Sequence, residues 1–362
     1  MLVRDVAAAW WAWMAPLALQ VALLGAAVLL LDAWLARRAW PQVRLLLWAS
    51  VLAKALVPPG LASPLALRAP WAWPLAGADV GGEVPGWLFA ALAVWLAGVA
   101  CCLLLAGVRA RAARRARSAA CPAPLRVAGV ARRAAATLGL RRAPLVLTSP
   151  EAAGPHVAGL LRPVVVLSPA DQARPARELW HVLLHELAHV RRRDPWLAAA
   201  AAGVRALLWF HPLAWLAARR VAQLLELCCD AAVADRLQDH TAGYRATLLA
   251  EAGRRLLPAP AWRGAPATVL QRLEALRRPV WRWRGARRAT VATLAALLLA
   301  CVLPAGRTPS LHAVPDSVLA SARATLRAAL AGERPGCLAT HNALLVAAAA
   351  GGLSPSPSRS DP

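Results

Sequence analysis

The stretch Ala176-Arg-Glu-Leu-Trp-His-Val-Leu-Leu-His185-Glu186-Leu-Ala-His189-Val-Arg-Arg-Arg193 contains neither proline nor glycine. Leu179, Val182, Leu183, Leu187 and Val190 recur within it at helical spacing, which predicts a helix with one apolar face. His185 and His189 are four residues apart, so on that helix their imidazoles leave the same face one turn apart and can share a metal ion. Glu186 sits beside them, placed to take a proton from water. A zinc ion with three protein ligands keeps its fourth position for water and lowers that water's pKa to about 7. This is hydrolytic chemistry at neutral pH.

Two histidines leave such a site one ligand short. Glu226, 37 residues after His189 on a second predicted helix from about Leu213 to Leu237, is the leading candidate. Asp230 lies one turn further along the same face, where it suits the role of an acid that holds the free N–H of a ligating histidine. Cys228 and Cys229 are the competing ligands. Cys228 points away from the Glu226 face, whereas Cys229 is close enough to approach.

Other residues near the motif have plainer readings. His181 shares the face of His185 and is expected to pack beside the site, His211 to break or cap a helix before Pro212, and His156 to be exposed. Asp194-Pro195 ends the motif helix, and Asp194 reads as the N-cap of the next one. Tyr244, the one tyrosine in the chain, has two readings: core packing, which is preferred, and donation to the oxyanion formed as water attacks an amide.

With 59% hydrophobic residues and a mean hydropathy of +0.48, the chain is too apolar for an ordinary soluble domain. Val6–Leu31, Trp87–Val108 and Ala289–Gly306 carry no charge, and each approaches or exceeds the roughly 20 residues of a spanning helix. Leu45–Leu67 is a less regular fourth run, holding Lys54 and Pro58-Pro59. These runs predict four transmembrane helices at about 10–34, 45–67, 87–108 and 288–306, with a domain at 109–287 and a tail at 307–362. The first run exceeds a signal-peptide core and is expected to be retained.

Arginine clusters at 37–44, 109–117 and 282–288 set the orientation by the positive-inside rule: both termini outside, and 109–287 cytoplasmic. The net charge of +24 does not indicate nucleic-acid binding, since the arginines are dispersed and not gathered on one face with interleaved aromatics. Nor do the seven cysteines form a disulfide scaffold. Cys101, Cys102 and Cys301 fall in spans, Cys121, Cys228 and Cys229 in the reducing cytoplasm, and only Cys337 outside.

Pro144–Thr148 and Pro163–Ser168 predict two strands paired as a small hairpin around a turn at Glu151–Gly159. Trp196–Ala218 has Arg205 as its single charge and is interrupted at His211-Pro212. It is expected to form two helices lying against the membrane or dipping into it, with a re-entrant hairpin as the open alternative. The tail is expected to hold one helix at Ser317–Ala331 and a disordered end.

The ordered pieces Gly159-Leu-Leu-Arg-Pro-Val-Val-Val-Leu, His185-Glu-Leu-Ala-His-Val-Arg-Arg-Arg-Asp-Pro, Trp209-Phe-His-Pro-Leu-Ala-Trp and Glu226-Leu-Cys-Cys-Asp-Ala-Ala-Val, followed by Tyr244, resemble the BlaR/MecR antirepressor type of membrane zinc metallopeptidase. The likeness covers about residues 10 to 306. It implies a mainly α membrane protein with a cytoplasmic α+β, gluzincin-like domain between spans three and four. It implies zinc held by His185, His189 and Glu226, with Glu186 as general base and Asp230 behind the ligands. It further implies a bacterial cytoplasmic membrane protein, possible homodimer included, that cuts itself or a winged-helix transcriptional repressor when an extracytoplasmic signal arrives. Val164–Leu167 is the strand whose edge an extended substrate is expected to join. The tail departs from the pattern: it has no lysine, hence no Ser-x-x-Lys nucleophile, and direct acylation by a β-lactam is not expected. Two alternatives stand beside this reading, a quality-control or prenyl-protein type of membrane zinc peptidase and a non-catalytic receptor whose zinc is structural.

Overall fold

A computed structural model of the chain describes residues 2–36, 40–57, 85–152, 154–254 and 269–277. Three helices come first: α1 (Leu2–Leu35), α2 (Pro41–Leu56) and α3 (Gly86–Ser118). Val6–Leu35 and Gly86–Arg115 are long and apolar enough to cross a membrane. The expected second span appears as the shorter α2, and residues 58–67 of it lie outside the described residues, as do the expected fourth span and the tail helix.

The next elements are β1 (Cys121–Pro122), α4 (Leu125–Leu138), β2 (Val146–Thr148), β3 (His156–Ala158), β4 (Val164–Leu167) and the short α5 (Pro169–Gln172). Gly139 ends α4 in the left-handed conformation (φ 73°), where a side chain would meet its own carbonyl. The strands form one sheet in the order β1-β2-β4-β3. The expected hairpin between Pro144–Thr148 and Pro163–Ser168 is not what forms: β2 and β4 pair parallel, Leu147 opposite Val166. The connection between them is long enough to carry its own strand, β3, which makes the antiparallel pair with β4 (Val157 opposite Val165). In consequence β4 is interior, and among the described residues β3 is the edge strand on its side.

Four further helices complete the described chain: α6 (Ala176–Arg192), α7 (Asp194–Leu207), α8 (Pro212–Leu237) and α9 (Thr241–Arg254), with α10 (Val269–Arg277) after a gap. The predicted apolar face of α6 is real. Leu179, Leu183 and Leu187 are fully buried, with Val127, Ala131, Ala134 and Leu138 of α4 and Val165 and Leu167 of β4 in the same core. A second core joins Met14, Leu17 and Val21 of α1, Trp48, Val51 and Leu52 of α2, and Ala214, Ala217, Val221 and Leu224 of α8. Helix α8 belongs to both: Cys228 enters the core shared with α1 and α2, and its neighbour Cys229 the core beneath α6. One rigid helix therefore runs from the apolar helices to the motif.

Candidate metal centre

Helix α6 presents His185 and His189 from one face, their ring centroids 5.0 Å apart. The break after α6 is abrupt: Arg193 adopts the left-handed conformation (φ 60°), and α7 starts at once with Pro195 in its first turn. Arg193 is the residue at the N-cap position, and Asp194 is already helical. The expected cap role of Asp194 is thus corrected. Its buried carboxylate turns back, and Oδ2 lies 2.9 Å from His189 Nδ1. The same oxygen receives the Cys229 thiol at 3.2 Å.

Across the cleft, α8 contributes Glu226. Its Oε2 is 3.4 Å from His185 Nε2, and its Oε1 is 3.5 Å from His189 Nε2. Candidate ligand atoms of these three residues all lie within 4.8 Å of one another. His189, Asp194 and Cys229 meet the same distance criterion. That second group is a poorer metal site: burial, then the charge of Asp194, push the Cys229 thiol well above its ordinary pKa, so it is held as a protonated donor.

Asp230 sits one turn beyond Glu226 as expected, with Oδ1 3.2 Å from His185 Nδ1. Tyr244 on α9 is buried and donates its hydroxyl to the same oxygen at 2.6 Å. Each histidine thus turns Nδ1 toward a buried carboxylate and leaves Nε2 toward Glu226. That arrangement sets which ring nitrogen is free to ligate. His181 packs nearby as expected, with Nδ1 2.8 Å from Thr247 Oγ1. His211 is at the N-cap position of α8 without a side-chain cap, and His156 is exposed.

Arg272 on α10 had no sequence signal. Among 42 basic residues it is one arginine like the others, and its importance comes only from the fold. Its Nε and Nη2 each donate to Asp230 at 2.7 Å, and Nη1 lies 3.3 Å from Glu226 Oε2. The electrostatics follow from this packing. Burial would raise the Glu226 pKa, yet His185 and Arg272 bring it down to about 2. Burial and the Arg272 charge would lower His185, but its contacts with Asp230 and Glu226 outweigh them and raise it to about 9. Asp230 is held well below the carboxylate range, burial being overcome chiefly by Arg272.

His185, His189, Glu226, Asp194, Tyr244 and Arg272 line a cavity of about 480 Å³, together with Glu186, Pro155, and His156 and Val157 of the β3 edge. The profile of the BlaR1 peptidase M56 family matches residues 82–276, more than half of the chain. The chain belongs to this family. A relative within reach of direct comparison is "Regulatory protein BlaR1" of Bacillus licheniformis, 32% identical over 94 residues, which is 26% of this chain and 15% of that protein. The family is described as a peptidase family, and two of the described helices are long and apolar enough to cross a membrane.

Proposed function

We propose that this protein is a membrane-embedded zinc endopeptidase of signalling type, which cuts itself or a cytosolic transcriptional repressor when an extracytoplasmic signal reaches it. The observation that carries the reading is the convergence of His185 Nε2 and His189 Nε2 on the two oxygens of Glu226, beside Glu186 in one cavity. Two imidazole nitrogens and a carboxylate form a donor set that suits zinc and leaves a position open. When bound there, zinc supplies a Lewis acid for polarising a peptide carbonyl and activating water.

The chain's own groups divide the remaining work. Glu186 takes the proton from the attacking water and returns it to the leaving amine. Asp194 and Asp230 orient the ligand histidines, and Arg272 neutralises and fixes Glu226 and Asp230 of α8. Because the Tyr244 hydroxyl is donated to Asp230, we assign it to positioning and not to the oxyanion. An extended substrate is proposed to add to the β3 edge, which borders the cavity, in place of the interior β4. The regulatory title of the Bacillus licheniformis relative supports a signalling role.

The test is an intact-mass and immunoblot comparison of wild type and Glu186→Gln, expressed in membranes together with a winged-helix repressor as candidate substrate, after bound zinc is measured in both. Zinc in both and fragments from wild type alone support the reading, and the cut site names the substrate. Fragments from both, or from neither under the inducing condition, would move a structural zinc ahead.

A further inference from the structure

The hairpin made by α7, the turn Leu208–His211 and the start of α8 is bracketed by the apolar helices. His211 Nε2 lies 3.1 Å from the carbonyl of Ala18 in α1. Trp209 Nε1 donates at 3.2 Å to the carbonyl of Trp95 in α3, and Trp95 Nε1 donates at 2.9 Å to the carbonyl of Leu207. Contacts with Gly25 and Gly98 are closer still: a Cβ added at Gly98 would lie 2.1 Å from the Trp209 ring, and one at Gly25 would lie 3.1 Å from Leu213.

These anchor points are far from the ends of the candidate spans. Ala18 is twelve residues after Val6 and seventeen before Leu35, about 18 and 26 Å along a helix rising ~1.5 Å per residue. Trp95 is nine residues after Gly86 and twenty before Arg115, about 14 and 30 Å by the same rise. Half the hydrocarbon core of a bilayer is about 15 Å thick. A turn held at these levels lies deep in the layer that α1 and α3 cross.

From this geometry we infer that α7 and α8 form a re-entrant hairpin whose tip, Trp209–Pro212, is embedded among lipid acyl chains. The inference rests on the reading of α1 and α3 as membrane spans. Non-helical backbone at bilayer depth is tolerated only where the protein satisfies its polar groups, and this turn is built that way. The carbonyls at which α7 stops are taken up locally: Leu207 by the Trp95 indole, Leu208 by the His211 amide at 2.9 Å, and Trp209 by the Trp215 indole at 2.7 Å. Arg205, the single charge from 196 to 218, is half-buried and lies with its guanidinium carbon 4.1 Å from the centroid of the Trp215 ring, whose face offsets its charge. Meanwhile Phe210 and Trp215 are each 43% exposed, and those apolar faces meet lipid.

The consequence reaches the metal centre. Helix α7 carries Asp194 at its outer end and α8 carries Glu226, so the group that orients His189 and the proposed third ligand ride on the two arms of one lipid-inserted hairpin.

The experiment places benzoylphenylalanine, one position at a time, at Phe210, at Leu104 on the exposed side of α3, and at Leu125 beyond the end of α3. The full chain is reconstituted in phosphatidylcholine vesicles bearing an alkyne at the acyl terminus, irradiated, and treated with base to hydrolyse the lipid esters. Alkyne remaining on the protein then marks attachment to an acyl chain and not to a headgroup. The expected result is retained label at 104 and 210 and at least tenfold less at 125. Label at 104 without label at 210 overturns the hairpin while leaving the span intact. No label at 104 overturns the span reading and the inference with it. Equal label at all three positions overturns the inference by showing that lipid coats the surface indiscriminately.

Discussion

Nδ1 of His189 lies 2.9 Å from Oδ2 of Asp194, a contact made between residues five apart across a helix break. Arg193 at φ 60° makes that return possible, a left-handed backbone that costs an ordinary residue about 1–2 kcal/mol. A carboxylate accepting from Nδ1–H fixes the ring's orientation and aims Nε2 at Glu226. Asp194→Ala is therefore expected to weaken zinc binding by about 10–100-fold. Competition against a chromophoric chelator measures it, and equal affinities for the variant and wild type would remove Asp194 from the centre.

Arg272 binds two acids at once, the buried Asp230 and the half-buried Glu226. Arg272→Met leaves Asp230 and Glu226 without their counter-charge, and breaking a buried pair in this way costs about 3–5 kcal/mol. The loss should be largest after chelator treatment and smaller with zinc, whose charge replaces part of what Glu226 has lost. Lysine should rescue poorly, because a single ammonium cannot reproduce the paired Nε and Nη2 donation to Asp230. Thermal unfolding with and without zinc measures both effects. A variant that melts like wild type under both conditions would refute the assignment.

The same cluster predicts opposite pH slopes with and without metal. In chelator-treated protein the raised pKa of His185, about 9 against an ordinary 6.5, stabilises the fold fully below pH 6.5, and this contribution is lost as the pH rises to 9. Glu226, lowered to about 2 from 4.5, contributes above pH 4.5 and loses its contribution as the pH falls toward 2. Zinc binding requires neutral His185, so it expels a proton below pH 9 and strengthens as the pH rises. Melting curves from pH 6 to 9 should fall without zinc, while apparent zinc affinity climbs. A flat melting temperature without zinc would contradict the charged state of His185.

Local periodicity carried much of this site. His185, Glu186 and His189 follow from one helix, and Glu226 and Asp230 from the repeat of another, so the structure needed only to bring two legible faces together. What stayed illegible depended on tertiary placement. Asp-Pro after a helix signals a boundary equally well whether the carboxylate caps or reaches back, and only the left-handed Arg193 decides for Asp194. Arg272 is hidden by abundance, since an arginine-rich chain gives no one arginine a signal. Two short Val- and Leu-rich strands were visible, but strand direction depends on what the connection does, and β3 inside it reversed the expected pairing.

Gly98 and Gly107 lie nine residues apart on α3 and make a matched pair for testing how the hairpin is held. A Cβ at Gly98 would come within 2.1 Å of the Trp209 ring, whereas one at Gly107 meets nothing within 4 Å. Gly107→Ala removes only a helix-weakening glycine and should be neutral or stabilising by up to about 1 kcal/mol. Gly98→Ala gains the same helix propensity but forces Trp209 off the Trp95 carbonyl, and overpacking of this kind costs about 1–3 kcal/mol. The indole lies on the turn between the arms that bear Asp194 and Glu226, so zinc affinity should fall in Gly98→Ala as well. Melting and zinc titration of both variants in the same detergent decide it. If Gly98→Ala melts lower but binds zinc as wild type does, the turn is a packing contact without influence on the ligands. If both readouts fall together while Gly107→Ala is unchanged, the membrane-side packing of α3 helps to set the geometry of the metal centre.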